Sequence, residues 1–472
     1  MNLETDNKIQ KKGITLVIPN ACGNIKETKM KNSGIEWIGE IPDDWEVKPV
    51  KRYFSHVKRI VGDDVDKYER LSLTMQGVLK RSKDDAEGLQ PEKFNGYQIL
   101  KQNELVFKLI DLENVNTSRV GISPFNGLVS PAYIILTNNK KDNTFYYYWF
   151  LNMYYQEIFN KLGDGGVRSA LNASDVLSLP MVYLNNETQQ CIASYLDKKC
   201  SKIEETIQNQ QQVIEKLKAY KQSLITEAVT GKKYHENCHT DSIMLTQNPN
   251  EDMKTEIPLG ISNPCDNIEF KYCNLGFIAD FKNGLNYNAS DFGTEVRFLG
   301  VGDFQNYLVL NDESMFSNII TDTEIEDDYY LKNGDIIFVR SNGSKELVGR
   351  AIMVDNIDFK VTYSGFCIRL RNKEPKKINS KFLLYFFRSD YFRNELQRLS
   401  QGSNISNINQ DLLSHIKIPL VDIRFQESVV DFLNKKCTAI DTAIEQKQNL
   451  IEKLTEYKKS LIYEVVTGKK EI

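Results

Sequence analysis

Between residues 189 and 233 the apolar positions fall at Leu196, Cys200, Ile203, Ile207, Ile214, Leu217 and Leu224, with polar steps at Gln210 and Lys221. Steps of four and three make a seam that recurs about every 3.5 residues, the period of a coiled-coil helix. Residues 426–470 repeat the pattern as Leu433, Cys437, Ile440, Ile444, Ile451, Leu454 and Leu461, with Lys447 and Lys458 at the polar steps. A shift of 237 superimposes the two segments without a gap, and 23 of the 45 positions are identical. That period is too long for a solenoid, so half of the chain is written twice. Asn185 can cap the start of the first helix, and Gly231 and Gly468 suit the residue just past each helix end. About 40 residues at about 1.5 Å each give a rod of roughly 60 Å. Each rod carries one apolar seam and needs a partner, for which the other copy is the obvious candidate.

The rest of the chain alternates short apolar runs with turn residues. Residues 1–33 are polar and irregular and read as a flexible arm. Trp37, Ile38, Ile41 and Trp45, beside Gly39 and Pro42, predict a packed turn leading into a strand. ELVFKLI (104–110) and AYIILT (132–137) predict strands, and residues 143–162 predict a helix that GDGGV (163–167) breaks. Tyr146, Tyr147, Tyr148 and Trp149 sit at helical spacing and are expected in the core. Residues 234–264 have no periodicity and read as a linker. The second half repeats the first more loosely. LKQNELVF (100–107) matches LKNGDIIF (331–338), and Trp45-Glu-Val-Lys-Pro is laid on Ile268-Glu-Phe-Lys-Tyr. Phe145, Gly165 and Ser169 match Phe382, Gly402 and Ser406. The expected organisation is α+β: an arm (1–33), a globular α/β domain (34–184), a helix (185–233), a linker (234–264), a second α/β domain (265–421) and a second helix (422–472).

Composition changes this picture little. Of 472 residues, 41% are hydrophobic and 26% charged, as in ordinary globular chains, and the net charge is −4. A uniformly basic protein is excluded, but DNA binding is not, because it depends on local patches. No apolar run reaches the roughly 18 residues that span a bilayer, and ITLVIP (14–19) is too short for a signal peptide. A cytoplasmic location is expected. The eight cysteines show no paired metal spacing and the four histidines do not cluster, so no metal site is expected. Cys200 and Cys437, equivalent in the repeat, are expected as reduced core thiols.

Catalytic signatures are weak. Asp43, Glu46 and Lys48 imitate a nuclease pattern, but the acids stand too close together in sequence. Thr230-Gly-Lys-Lys and Thr467-Gly-Lys-Lys lack the upstream glycine of a phosphate loop and end helices where such a loop would begin one. Gly163–Gly166 has no strand–turn–helix frame around it. The chain reads as a binding protein with no catalytic residues.

Three sets of residues resemble the specificity subunit of type I restriction–modification systems. GIEWIGEIPDDW (34–45) is similar to the opening segment of that family, and LKNGDIIFVRSNGSKELVGRA (331–351) to its strand-and-loop run. The doubled helix carries IEKL, YK, SLI and VTGK at Ile214–Leu217, Tyr220-Lys221, Ser223–Ile225 and Val229–Lys232, and again at Ile451–Leu454, Tyr457-Lys458, Ser460–Ile462 and Val466–Lys469. The resemblance implies two target recognition domains, each reading one half of a bipartite, asymmetric double-stranded DNA site. It implies that the two helices pair as an antiparallel coiled coil with a pseudo-twofold repeat and set the spacing between half-sites. It also implies two docked modification subunits that bind S-adenosylmethionine and methylate adenine, joined by restriction subunits, with no cofactor in this chain. Residues 104–116 lack the Arg-Ser-Asn-Gly run of 340–343.

Phosphate contacts need Lys and Arg; base reading adds Asn, Gln and small polar groups. In the first half the candidates are Lys58, Arg59, Lys80, Arg81, Lys108, Arg119 and Arg168. In the second they are Lys282, Asn283, Arg340, Asn342, Lys345, Arg350 and Asn404. A solvated surface charge is the plain alternative for each. Arg340 to Arg350 stand out because they cluster directly after an expected strand. A duplicated scaffold that joins protein partners without touching DNA is the competing function.

Overall fold

The seam residues form two long helices, and both are divided between two units of the chain. The first unit comprises Met1–Gln210 with Asn449–Ile472, and the second Gln211–Gln448. The computed structural model describes residues 29–83, 93–110, 119–139, 142–163, 170–231, 270–286, 293–304, 308–322, 324–343, 347–399, 407–470 and 472. The expected linker 234–264 and most of the expected arm lie outside these residues.

In chain order the first half forms β1 (Met30–Asn32), β2 (Glu40–Pro42), β3 (Glu46–Pro49), β4 (Ser55–Val57), β5 (Arg70–Thr74), β6 (Gly77–Arg81) and β7 (Gln98–Leu100). Then come β8 (Leu105–Phe107), β9 (Val120–Ile122), β10 (Gly127–Val129), β11 (Ile134–Thr137), α1 (Thr144–Tyr155), α2 (Ile158–Gly163), α3 (Ala173–Ser178), β12 (Pro180–Tyr183) and α4 (Asn186–Thr230). The second half forms β13 (Lys271–Asn274), β14 (Ala279–Asn283), β15 (Thr294–Leu299), β16 (Val309–Leu310), β17 (Ser317–Thr321), β18 (Ile336–Val339) and β19 (Ala351–Val354). It continues with β20 (Val361–Tyr363), β21 (Cys367–Asn372), α5 (Ser380–Phe387), α6 (Asp390–Leu399), α7 (Gln410–Ser414), β22 (Lys417–Leu420) and α8 (Ile423–Val466).

The two halves repeat one topology. The sheet β4-β11-β8-β9 of the first half has its counterpart in β14-β21-β18-β19, which β16 extends. The sheet β6-β5-β10, extended by β7, corresponds to β17-β15-β20, and in each the last pair (β5 with β10, β15 with β20) is parallel. Two-stranded ribbons β3-β12 and β13-β22 complete the match.

Several expectations change in detail. Residues 30–32 of the expected arm form β1, paired with β2. The helix expected over 143–162 breaks after Tyr155, where Glu157 takes φ +57, and resumes as α2. The ribbon registers place Glu46 opposite Tyr183 and Lys271 opposite Leu420. Tyr183 and Leu420 are 237 apart, so Glu46 matches Lys271 and Trp45 matches Phe270, two residues from the alignment with Ile268. The sequence offers no gap-free guide there, whereas backbone pairing fixes the register.

Each unit has one main core that includes helix. In the first unit Phe107, Trp149, Phe150 and Phe159 pack in one cluster with Leu196, Cys200 and Ile203 of α4 and Leu461, Ile462, Val465 and Val466 of α8. The early part of α4 thus meets the late part of α8, which is antiparallel packing. In the second unit Phe338, Phe382 and Phe386 cluster with Ile225, Ala228 and Val229 of α4 and Val429, Val430, Leu433 and Cys437 of α8. Tyr146, Tyr148 and Trp149 are buried, as helical spacing predicted.

The polar steps of the seam pin this pairing. Lys458 forms an ion pair with Glu204 in the first unit, and Lys221 donates to both carboxylate oxygens of Asp441, at 2.7 Å each, in the second. A shift of 237 carries Glu204 to Asp441 and Lys221 to Lys458, so the second bridge is the first with the two strands exchanged. Polar residues at single seam positions specify register at some cost in stability. Helix ends are fixed by side chains and by glycine. Asn185 Oδ1 accepts from the Thr188 amide at 2.8 Å. Gly231 (φ +65) ends α4 with its amide on the Glu227 carbonyl at 2.9 Å. Gly468 (φ +72) follows α8 in a Schellman pattern, Lys469 N–H to Glu464 O at 2.8 Å and Gly468 N–H to Val465 O at 3.2 Å.

Candidate nucleic-acid interface

Strands β14, β18 and the β20–β21 turn end on one rim of the second unit. The apolar run Ile336–Val339 is fully buried, and the chain leaves the sheet at Arg340. Backbone bonds hold Arg340 there: its amide donates to Phe366 O at 2.7 Å, and its carbonyl accepts from Ile408 at 2.9 Å. Ser341 bridges to Asn407. The turn Ser364-Gly365-Phe366-Cys367 is closed by the Cys367 amide on Ser364 O at 2.8 Å, and the Gly365 amide donates to Leu285 O at 2.8 Å. Gly365 is where two side chains meet, with Phe366 next in the chain. Arg340 Nη1 lies 3.5 Å from its carbonyl oxygen, a Cβ at Gly365 would collide with Asn286 Oδ1, and Phe366 follows it at the tip. Phe366 is 58% exposed, an unusual state for a large apolar residue beside a polar rim.

Of the second-half candidates, Asn283, Arg340, Asn342 and Arg350 are brought to this end of the sheet. Asn283 ends β14, and the Arg350 carbonyl accepts from Val339 N–H at 3.0 Å. Burial lowers the Arg350 pKa, and burial together with Arg350 pushes that of Arg388 down to about 10. Lys282 lies inward of the rim: its ammonium is 2.6 Å from Asp328 and 3.7 Å from the centre of the Tyr329 ring. The hydrogen bond from Lys282 and the charge of Arg369 hold Asp328 below the usual carboxylate range. Lys345 and Asn404 lie outside the described residues. The sequence reading missed Asn286, Gly365 and Phe366. The signal available was a Gly-Phe tip between two apolar strand runs, VTY and CIRLRN.

The first unit builds the same rim with different side chains. Lys108 N–H donates to Arg119 O at 3.0 Å, the counterpart of Val339 to Arg350, and Ile110 bridges to Ala170 as Ser341 does to Asn407. The turn Ser130-Pro131-Ala132-Tyr133 closes with the same bond, Tyr133 N–H to Ser130 O at 3.1 Å. Leu109, Pro131 and Ala132 therefore occupy the places of Arg340, Gly365 and Phe366, and Leu109 is buried. Lys58 takes the place of Asn283 and is exposed.

Several first-half candidates have partners within the fold. Arg119 is 2% exposed and donates to Asn160 Oδ1 at 2.9 Å, so it belongs to the core and presents no guanidinium to a phosphate. Burial with a side-chain acceptor, invisible in sequence, is the reason. Arg59 forms two 2.8 Å bonds to the buried Glu104 carboxylate. Lys80 is exposed, 2.6 Å from Glu69 and over the Phe125 ring at 5.0 Å. Arg81 and Lys108 are half-buried, and Arg168 lies outside the described residues. The carboxylate that Arg59 neutralises has a counterpart in Asp335, which Arg371 meets at 2.6 and 2.8 Å.

Glu46 is ion-paired with Lys48, and Asp43 is exposed. Among the described residues no group of three His, Cys, Asp or Glu side chains is placed to hold a metal, and no helix is long and apolar enough to cross a membrane.

Residues 267–455 match the model of the type I restriction modification DNA specificity domain. The chain is 27% identical over 304 residues to the type I restriction enzyme StySPI specificity subunit of Salmonella potsdam, across 62% of this chain and 58% of that protein. It is 28% identical over 135 residues to the EcoKI specificity subunit of Escherichia coli K12, across 29% of this chain and 28% of that protein. The matches thus span less than two thirds of these relatives. A solved structure described as the structural basis of complex assembly and conformational transition of the type I R-M system shares the fold. Its TM-score is 0.61 at 13% identity, covering 90% of this chain and 98% of that one. The domain matched over residues 267–455 and the 27% identity to the StySPI subunit make this chain similar to the specificity subunits of type I restriction–modification systems.

Proposed function

We propose that the chain is the DNA-recognition subunit of a type I restriction–modification complex, each unit reading one half of a bipartite, asymmetric site. The observation that carries this reading is the pair of rims: one strand order, one turn geometry, and different side chains at the tip. A shared frame with exchanged reading groups is what two unlike half-sites demand, because base identity is read by side-chain chemistry and not by the frame. A scaffold for protein partners has no need of that exchange. Phosphate affinity would come from the exposed lysines and the rim arginines, so binding should weaken steeply with salt.

The helix pair sets the spacing between half-sites in this reading. The symmetry-related bridges Lys458–Glu204 and Lys221–Asp441 support it, since both select one register. The outward helix faces dock two modification subunits, which bind S-adenosylmethionine and methylate adenine; restriction subunits then join. This chain holds no cofactor and contributes recognition without catalysis. Footprinting of the full chain with its modification subunits tests the proposal. A split, asymmetric footprint is expected; a continuous or sequence-independent one refutes it.

A further inference from the structure

We propose that Phe366 is a specificity-determining residue that packs on a thymine methyl group in the major groove of the half-site read by the second unit. The inference rests on the DNA-reading function above and deepens it. Three observations meet at one point. Arg340 and Asn286 both lie against Gly365, and Phe366 projects from the next position with more than half of its surface exposed. Arginine pairs with the major-groove edge of guanine and asparagine with that of adenine. The one apolar feature on that edge of the bases is the thymine methyl, and an exposed aromatic one residue from the point that two such polar readers touch is placed to take it.

The turn is built to hold the side chain still. The Phe366 amide bonds Ser364 Oγ at 3.2 Å, the Cys367 amide closes the turn, and the Phe366 carbonyl accepts from Arg340. The side chain is not part of the core: its neighbour Cys367 is fully buried, while Phe366 is 58% exposed. The first unit repeats the two hydrogen bonds within the turn, the Tyr133 amide on Ser130 O at 3.1 Å and the Ala132 amide on Ser130 Oγ at 3.3 Å, yet carries alanine at the tip. Folding of the turn therefore does not require the aromatic ring. The exchange confines the methyl-reading function to one half-site.

The test uses the full chain with its modification subunits and duplexes of its cognate site. Each thymidine of the second half-site is replaced in turn by deoxyuridine, which deletes only the methyl. Wild-type binding should weaken roughly fourfold at one such position, the effect of withdrawing one methyl from an apolar contact. Phe366→Ala should bind thymidine and deoxyuridine there equally, and Phe366→Leu should keep part of the preference. First half-site substitutions should respond identically in wild type and variants. Deoxyuridine without effect at every position, including through insertion of the ring between base pairs, overturns the inference while the split footprint stands. So does a penalty that persists in Phe366→Ala, or a second half-site without thymine. Loss of all sequence preference in the wild type overturns the DNA-reading function itself.

Discussion

Replacing Gly231 with alanine tests how the long helix α4 is anchored in the second unit. Gly231 has φ +65, a conformation that costs an L-residue about 1–2 kcal/mol. A Cβ there would also overlap the Phe270 ring, whose packing would have to shift, at about 1–3 kcal/mol. The two terms add to about 2–5 kcal/mol for Gly231→Ala. Urea unfolding followed by circular dichroism reads the total, and hydrogen exchange over residues 221–231 reads where it falls. Protection should drop at that helix end and hold in the first unit. The clash term can be isolated: with Phe270→Ala as background, Gly231→Ala should cost only the conformational part, about 1–2 kcal/mol. A cost below about 0.5 kcal/mol, or one that is the same with and without the Phe270 ring, refutes the reasoning. Gly468 offers an independent check in the first unit, since a Cβ there would lie 2.5 Å from Pro42 Cγ and 3.2 Å from the Trp45 ring.

Two further outcomes follow from buried charge. Arg371→Leu strands the Asp335 carboxylate, which is 1% exposed, and should destabilise the second unit by about 3–5 kcal/mol; Arg371→Leu with Asp335→Leu should recover most of that loss in chemical denaturation. Burial raises the pKa of Asp197 even though the Tyr148 hydroxyl donates to it at 2.8 Å. The folded state thus holds this proton more tightly than the unfolded state, and the carboxylate costs stability as pH rises through the ordinary carboxylate range. Asn434 stands at the equivalent place, accepting from Tyr385 at 2.7 Å. Asp197→Asn should therefore stabilise the chain at neutral pH, with the gain shrinking as pH falls towards about 4. An equal gain at both pH values would contradict the assigned cause.

How much of this was legible beforehand depended on the range of the interactions. The helix seam, the caps at Asn185 and Gly231 and the core role of Trp149 could be read because each shows as a pattern within a few turns of one helix. Arg119 and Arg59 were read as phosphate contacts without sight of their partners Asn160 and Glu104, which lie 41 and 45 residues away. The Trp45 alignment slipped by two residues where the two halves differ in loop length and only the β3–β12 and β13–β22 pairings record the register.

By itself, the sequence determined the duplication, which implies a second bridge once the fold has made a first. A gap-free shift of 237 with Lys opposite Glu or Asp admits Lys221–Asp441 once Lys458–Glu204 is made, because local helical geometry carries the pattern along the rod. Only the tertiary structure decided the rim. Asn286, Arg340 and Phe366 come from three separate stretches, and strand pairing across tens of residues brings them to Gly365. Side-chain alternation along a strand says which face a residue takes; it does not say which strand ends will share an edge.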